Sequence, residues 1–195
     1  MKVLGITGGI ATGKTTVSKI LKRYGGYLIS ADDIAHRIIL PKKKAYKKIV
    51  KQFGKEILNK NLTINRKKLA DIIFKKKKLR KILENITHPE IIKTIKKEIK
   101  KAKKGKKYKF IILEAPLLFE AKISNLADLI IVVACSKKTQ IKRLIKKGFS
   151  KQSAENRISS QIPLSKKIKQ ADIVIYNEKN LKLLRKNVKK ILNYL

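Results

Sequence analysis

One octapeptide near the start constrains this chain more than any other stretch. Gly8-Gly9-Ile10-Ala11-Thr12-Gly13-Lys14-Thr15 fits G-x-x-x-x-G-K-[ST] and follows closely on the apolar run Val3-Leu4-Gly5-Ile6. A glycine-rich turn between a strand and a helix start points backbone N–H groups at phosphate oxygens, and glycine allows the close approach that a Cβ would block. In such a loop Lys14 reaches the β- and γ-phosphates of a nucleotide, and the Thr15 hydroxyl ligates Mg²⁺. Val17, Ile20, Leu21 and Tyr24 then recur at helical spacing until Gly25-Gly26 stop the helix, which is the context the motif requires.

A chain of 195 residues is expected to bury one substantial core and to carry a helical insertion. Its start lacks a basic, apolar and small-residue signal pattern, and no apolar run nears the ~18 residues of a membrane span. A cytoplasmic protein without a membrane partner is therefore expected. Cys135 is the single cysteine, so no intramolecular disulfide can form, and at the end of Ile131-Val132-Val133-Ala134 it reads as a packed strand residue. His36 and His88 are too far apart in sequence to suggest a metal cluster.

The formal net charge of +38 points first to nucleic acid or another anionic surface. However, the cations are 44 Lys against 7 Arg, whereas a nucleic-acid reader favours the bidentate fork of arginine. The lysines are spread along most of the chain, and the basic run 100–109 has Tyr108 as its one aromatic residue, which is no stacking platform. Lys, Ile and Asn share A/T-rich codons, so the excess reads as compositional drift on a tolerant surface. No specific nucleic-acid partner is expected.

Along the chain, Tyr27-Leu28-Ile29-Ser30 reads as a short strand ending in Ala31-Asp32-Asp33, polar residues at the carboxyl end where open α/β sheets place ligands. A helix bearing Ile34, Ile38 and Ile39 follows, broken at Pro41. From 42 to 107 the apolar spacing is helical: Ile49, Val50 and Phe53; Leu69, Ile72, Ile73 and Phe74; Leu79, Ile82, Leu83 and Ile86. His88-Pro89 is expected to open a further helix. Phe110-Ile111-Ile112-Leu113-Glu114 and 127–134 read as buried parallel strands. Ser136 is expected to cap a helix that Gly148 ends, and 149–169 reads as polar and mobile. Ile173-Val174-Ile175-Tyr176 is the last strand, followed by Asn177 and a closing amphipathic helix. The expectation is an α/β fold of the P-loop kinase type. It has a five-stranded doubly wound parallel sheet, an inserted helical acceptor-binding subdomain over 41–107, and a lid over about 143–170.

A P-loop alone serves GTPases, ATPases, motors and small-molecule kinases. The guanine-reading Asn-Lys-x-Asp is absent, and a helical insertion with a basic segment near the end suits a metabolite kinase whose lid excludes water. Several stretches carry a narrower likeness: Ile6-Thr7-Gly8-Gly9-Ile10, Gly13-Lys14-Thr15-Thr16-Val17, Ser30-Ala31-Asp32 with Ile34-Ala35-His36, His88-Pro89, and Pro116-Leu117-Leu118-Phe119-Glu120. Thr139-Gln140, Arg143, Arg157, Gln161, Ala171-Asp172 and Asn177 extend it over nearly the whole chain. In these the chain resembles the dephospho-CoA kinase family, which phosphorylates the ribose 3′-hydroxyl of dephospho-CoA with ATP. Two positions depart from the family pattern. Ser30 stands where the first Asp of an Asp-Ala-Asp is usual, and Lys147 where a second lid arginine is usual, keeping charge but losing the fork.

The resemblance implies a role for each candidate residue. Gly8, Gly9, Ala11, Thr12, Gly13, Lys14, Thr15 and Thr16 would hold the ATP phosphates, with Asn177 also on the nucleotide. Thr15 and Glu114 would stand on the Mg²⁺ side, and Arg143 and Arg157 would balance charge on the transferring group. Asp32 would orient or deprotonate the acceptor hydroxyl, although a helix N-cap is the plain alternative, and His88 is either a substrate contact or a turn residue. The plain alternatives are a solvated helix face for Arg143 and a surface acid for Glu114. A nucleoside or nucleoside-monophosphate kinase is the rival reading among enzymes. A monomer is expected.

Overall fold

The computed structural model describes residues 1–105 and 107–195, without the side chains of Phe74, Lys75 and Lys77. Its described residues form two compact units, one of Met1–Ser30 with Ile99–Leu195 and one of Ala31–Glu98.

The first unit is built on five parallel strands: β1 (Val3–Gly8), β2 (Gly26–Ser30), β3 (Phe110–Glu114), β4 (Leu129–Ala134) and β5 (Ile173–Tyr176), in the order β2-β3-β1-β4-β5. The first strand therefore lies in the middle, with β3 on one side and β4 on the other. The chain after β1 leaves the sheet where the strand order reverses, which is the ligand crevice of such sheets. Leu4, Ile6, Phe110, Ile112, Ile131, Val133 and Ile175 form one face, packed against Val17, Ile20 and Leu21 of α1 (Lys14–Arg23) and Leu184, Val188 and Ile191 of the C-terminal helix (Leu181–Ile191). The alternate residues Ile111, Leu113 and Val132 are fully buried too, so the strands lack polar alternation because neither face meets water.

Carboxylates at strand starts set the register. Asp128 accepts from Val3 N at 2.7 Å while its own N–H reaches Val3 O, and Asp172 repeats this with Ile130 N at 2.7 Å. Gly5 is required by close packing, because a Cβ there would stand 2.9 Å from the Ala127 Cβ and 3.3 Å from Leu118. The strand expected over 127–134 begins at Leu129, since a short 3-10 turn at Ser124–Leu126 leads into it.

The second unit begins with α2 (Ala31–Ile38), α3 (Lys44–Phe53) and α4 (Arg66–Lys75). Ile49, Phe53, Ile57, Ile64 and Leu69 form its core, with Ile82, Leu83 and Ile86 packed against them. Gly54, at φ +79°, ends α3, and the Asn65 side chain caps α4 by accepting from Lys68 N at 3.0 Å. The Phe74 side chain, read from sequence as part of an apolar face, lies outside the described ones.

Two expectations about helices are corrected. Pro89 does not open a helix; it lies inside α5 (Lys77–Lys104). An interior proline costs about 3 kcal/mol, whereas each well-buried Leu or Ile contributes about 1.5–3 kcal/mol. Ile82, Leu83 and Ile86, partly buried against the core before it, and the fully buried Ile95 after it offset that cost. The stretch 149–169 is helical as well. After α6 (Lys137–Ile145) come α7 (Lys151–Ser159) and α8 (Leu164–Ile168), with α9 the Leu181–Ile191 helix already described. The α7 helix fully buries Ala154 alone, so it shows no apolar stripe in sequence; its visible signal is Ser150, which caps it by accepting from Ser153 N at 3.2 Å.

Candidate active site

The phosphate-binding loop leaves β1 at Gly8 and enters α1 at Lys14. Its path needs left-handed backbone at Ala11 (φ 59°) and Gly13 (φ 102°). A Cβ at Gly13 would collide with the Asn177 carboxamide, and one at Gly8 with the Val133 carbonyl. Ala11 holds a conformation that L-residues rarely adopt, and such strain persists only where surrounding contacts over-determine it. Those contacts are present. Arg143 Nη1 donates to Ala11 O at 3.2 Å and Thr12 O at 3.3 Å, while its Nη2 donates to Asn177 O at 2.8 Å. The buried Asn177 carboxamide donates to Thr12 O at 2.8 Å, and the Thr12 hydroxyl to Gly9 O at 2.9 Å. Ile10 N donates to the side-chain oxygen of Gln161 at 2.9 Å.

Lys14 is buried, with its ammonium 2.7 Å from Gly9 O and 3.4 Å from Gly8 O. The Thr15 hydroxyl donates to Glu114 Oε1 at 2.6 Å. Glu114 is buried at the end of β3, opposite Ile6 in register on one side and Ser30 on the other. A hydroxyl and a carboxylate held together are the hard oxygen donors Mg²⁺ takes, with phosphate oxygens and water completing the shell. Among the described residues no cluster of three His, Cys, Asp or Glu could hold a metal by itself. Thr15 and Glu114 fit an ion shared with a nucleotide.

Beside the loop lies a cavity of about 670 Å³ lined by Ala11, Gly13, Lys14, Thr15 and Thr16, by Arg143, Lys146 and Lys147, and by Asn177, Lys179, Leu181 and Leu184. Its five cations and two leucines suit a ligand with a polyanionic part and an apolar part. Lys147, the departure noted in sequence, is one of those cations. Lys146, Lys179 and Leu181 escaped the sequence reading; Lys179 and Leu181 were findable as the residues just beyond the carboxyl end of the last strand.

Glu178 is turned to the start of α6, where it accepts from Thr139 Oγ1 at 2.7 Å and from Ser136 N. The Thr139 hydroxyl bond, and then the Ser136 amide, hold its carboxyl below the usual range. Cys135 is buried below Arg143, with its Sγ 3.7 Å from Nη1, and burial pushes the thiol up to about 11. Arg157, on α7, lies over the Phe149 ring with its guanidinium carbon 4.4 Å from the centroid.

The second unit has a cavity of about 560 Å³, with Asp32, His36 and Arg66 among apolar side chains such as Ile39, Leu69, Ile73 and Leu83. Asp32 is exposed in the first turn of α2, which begins at Ala31, so it lies inside the helix rather than before it as a cap. Thr87 and Ile91 of α5 line this cavity, whereas His88 is half-buried between them in sequence and is not part of the lining. Arg66 was not legible as a lining residue, because no spacing in the sequence links α2 to the start of α4; His36 was findable one helical turn beyond Asp32 on α2. No helix among the described residues is long and apolar enough to cross a membrane.

The family model for dephospho-CoA kinase matches residues 2–182. A dephospho-CoA kinase of Carboxydothermus hydrogenoformans is 43% identical over 193 residues, covering 98% of this chain and 93% of that one. The solved dephospho-CoA kinase from Campylobacter jejuni superposes with a TM-score of 0.73 at 34% identity, over 98% of this chain and 95% of its own. The Thermus thermophilus protein TT1252 reaches 0.83 at 27% identity, over 100% and 97%. With the loop, the parallel sheet and these likenesses together, the chain belongs to the dephospho-CoA kinase family, ATP-binding transferases of coenzyme A biosynthesis built on a P-loop.

Proposed function

We propose that this chain transfers the γ-phosphoryl group of ATP to the ribose 3′-hydroxyl of dephospho-CoA, with Mg²⁺, as a monomer in the cytoplasm. The observation that supports it best is that three residues of the family likeness outside the P-loop, Arg143, Asn177 and Gln161, hold that loop's backbone, while Glu114 holds Thr15.

The loop amides and Lys14 bind the phosphates, and Thr15 with Glu114 takes the metal side. When bound, Mg²⁺ neutralises phosphate charge. Phosphoryl transfer asks the protein for positioning and charge more than for covalent chemistry. Arg143 reaches three carbonyls, so its larger contribution is to preorganise the loop, with Arg157 supplying charge from the lid over about 143–170. The helical residues 41–107 take the acceptor, and Asp32, two residues beyond β2, orients its hydroxyl. His88 acts there only through its neighbours Thr87 and Ile91. Because phosphoryl transfer draws mainly on positioning, orientation of the acceptor hydroxyl is the main contribution of Asp32.

The test is coenzyme A formation from Mg·ATP, screened beside nucleosides and nucleoside monophosphates as acceptors. Dephospho-CoA should be turned over by far the fastest. A nucleoside monophosphate preferred over it would overturn the assignment.

A further inference from the structure

The Lys167 side chain on α8 is 0% exposed, and its ammonium lies 2.7 Å from Glu120 Oε1 and 2.9 Å from Pro116 O. Pro116 O also accepts from the hydroxyl of Thr7, the residue before the phosphate loop, at 3.2 Å. Glu120 Oε1 further accepts from Ile162 N at 3.3 Å, and the preceding residue, Gln161, accepts from Ile10 N of the loop. Contacts thus run from the end of β1 through Pro116, Lys167, Glu120 and Ile162 to Gln161, and return to the loop three residues after Thr7.

Stability is a poor reason for this arrangement. A buried ion pair often contributes no more than a well-packed apolar pair of the same volume. Moreover, Glu120 Oε2 is buried and makes no hydrogen bond among the described residues. Apolar contacts are non-directional, however, and cannot fix where a segment stops along its neighbour. A charge pair that also grips two backbone groups can.

We propose that Glu120 and Lys167 are positioning residues for phosphoryl transfer, a latch that sets the α7–α8 segment, with Gln161 on the Ile10 amide and Arg157 on α7, against the phosphate loop. The pair acts through Gln161 and the loop, not on substrate. This rests on the reading of α7–α8 as part of the lid over the phosphates.

Three variants test it: Lys167→Met, the double Lys167→Met with Glu120→Met, and Gln161→Met, each followed by thermal unfolding and by kcat and KM for ATP. Lys167→Met alone leaves a carboxylate buried without its partner and should lower Tm by about 10 °C. The double variant should regain most of that Tm yet keep kcat at least about tenfold down, since small misplacements near the reacting atoms are costly. Gln161→Met should lower kcat in the same direction with Tm unchanged, and should add little when combined with the double variant. A double variant with wild-type kcat would overturn the latch. So would an additive effect of Gln161→Met. If the double variant fails to fold, an undiminished kcat in Gln161→Met overturns it by itself. Each variant is read against the wild-type rate with whichever acceptor is turned over, so failure of the dephospho-CoA assignment is seen separately, in the wild type.

Discussion

Thr15 and Glu114, 99 residues apart in the chain, are joined by a hydroxyl-to-carboxylate hydrogen bond of 2.6 Å. One lies in the first turn of the helix after the phosphate loop and the other closes the neighbouring strand, so the pair exists only because β1 and β3 lie side by side. Glu114→Gln preserves size and an acceptor but removes the charge. The Mg²⁺ concentration needed for half-maximal rate should rise about 10–100-fold, the usual loss when a metal-supporting partner is changed. A titration unchanged from wild type would take Glu114 out of the metal site.

Asp32→Asn should lower kcat by about 10²–10⁴ while leaving the KM for ATP nearly unchanged, because the phosphate loop is intact. Since Asp32 lies within the first turn of α2, loss of a cap does not account for such a result. Lys14→Ala should instead raise the KM for ATP. Steady-state kinetics on both variants distinguish the two, and an Asn variant at wild-type turnover would remove Asp32 from the mechanism.

Arg143→Lys keeps the charge and loses the fork that spans Ala11 O, Thr12 O and Asn177 O. A point ammonium cannot hold three carbonyls in that plane, and each hydrogen bond to a charged group contributes about 1.5–3 kcal/mol. ATP binding measured by titration should weaken about tenfold or more, which is one such bond's worth. The strained Ala11 backbone then has less to hold it.

Burial raises the Cys135 thiol to about 11, so between about 8.5 and that value the folded state keeps a proton the unfolded state has lost. Stability from this residue is therefore complete below about 8.5 and falls as pH rises through that window. Denaturant midpoints for the wild type should drop more from pH 8 to pH 10 than those of Cys135→Ala. Alkylation at pH 8 should be slow in the native protein and fast in denaturant.

Duplex DNA should bind weakly and without sequence preference, with affinity falling steeply as salt rises, because a surface rich in lysine acts by counterion release. Gel-shift titrations at two salt concentrations check this. Selective nanomolar binding at physiological salt would give the charge a function.

Local chemistry by itself determined the phosphate loop, the five strands and most helices, and the family was legible only as a resemblance carried by particular stretches. The G-x-x-x-x-G-K-[ST] spacing needs only consecutive residues, and buried parallel strands announce themselves as unbroken apolar runs. The tertiary structure decided whatever depends on groups far apart in sequence. Arg143, which on sequence alone could lie on a solvated helix face, grips loop carbonyls 131 and 132 residues away. Lys167, one lysine among 44, is the one whose ammonium is buried on Glu120. Pro89 sits within a helix whose apolar residues are buried on both sides of it, and α7 forms without an apolar stripe, capped by Ser150 and packed through Ala154. Periodicity reports which face of a segment avoids water. It carries no information on which distant polar group will meet it there, because that pairing is set by strand order and by the desolvation of each charge once the sheet has closed over it.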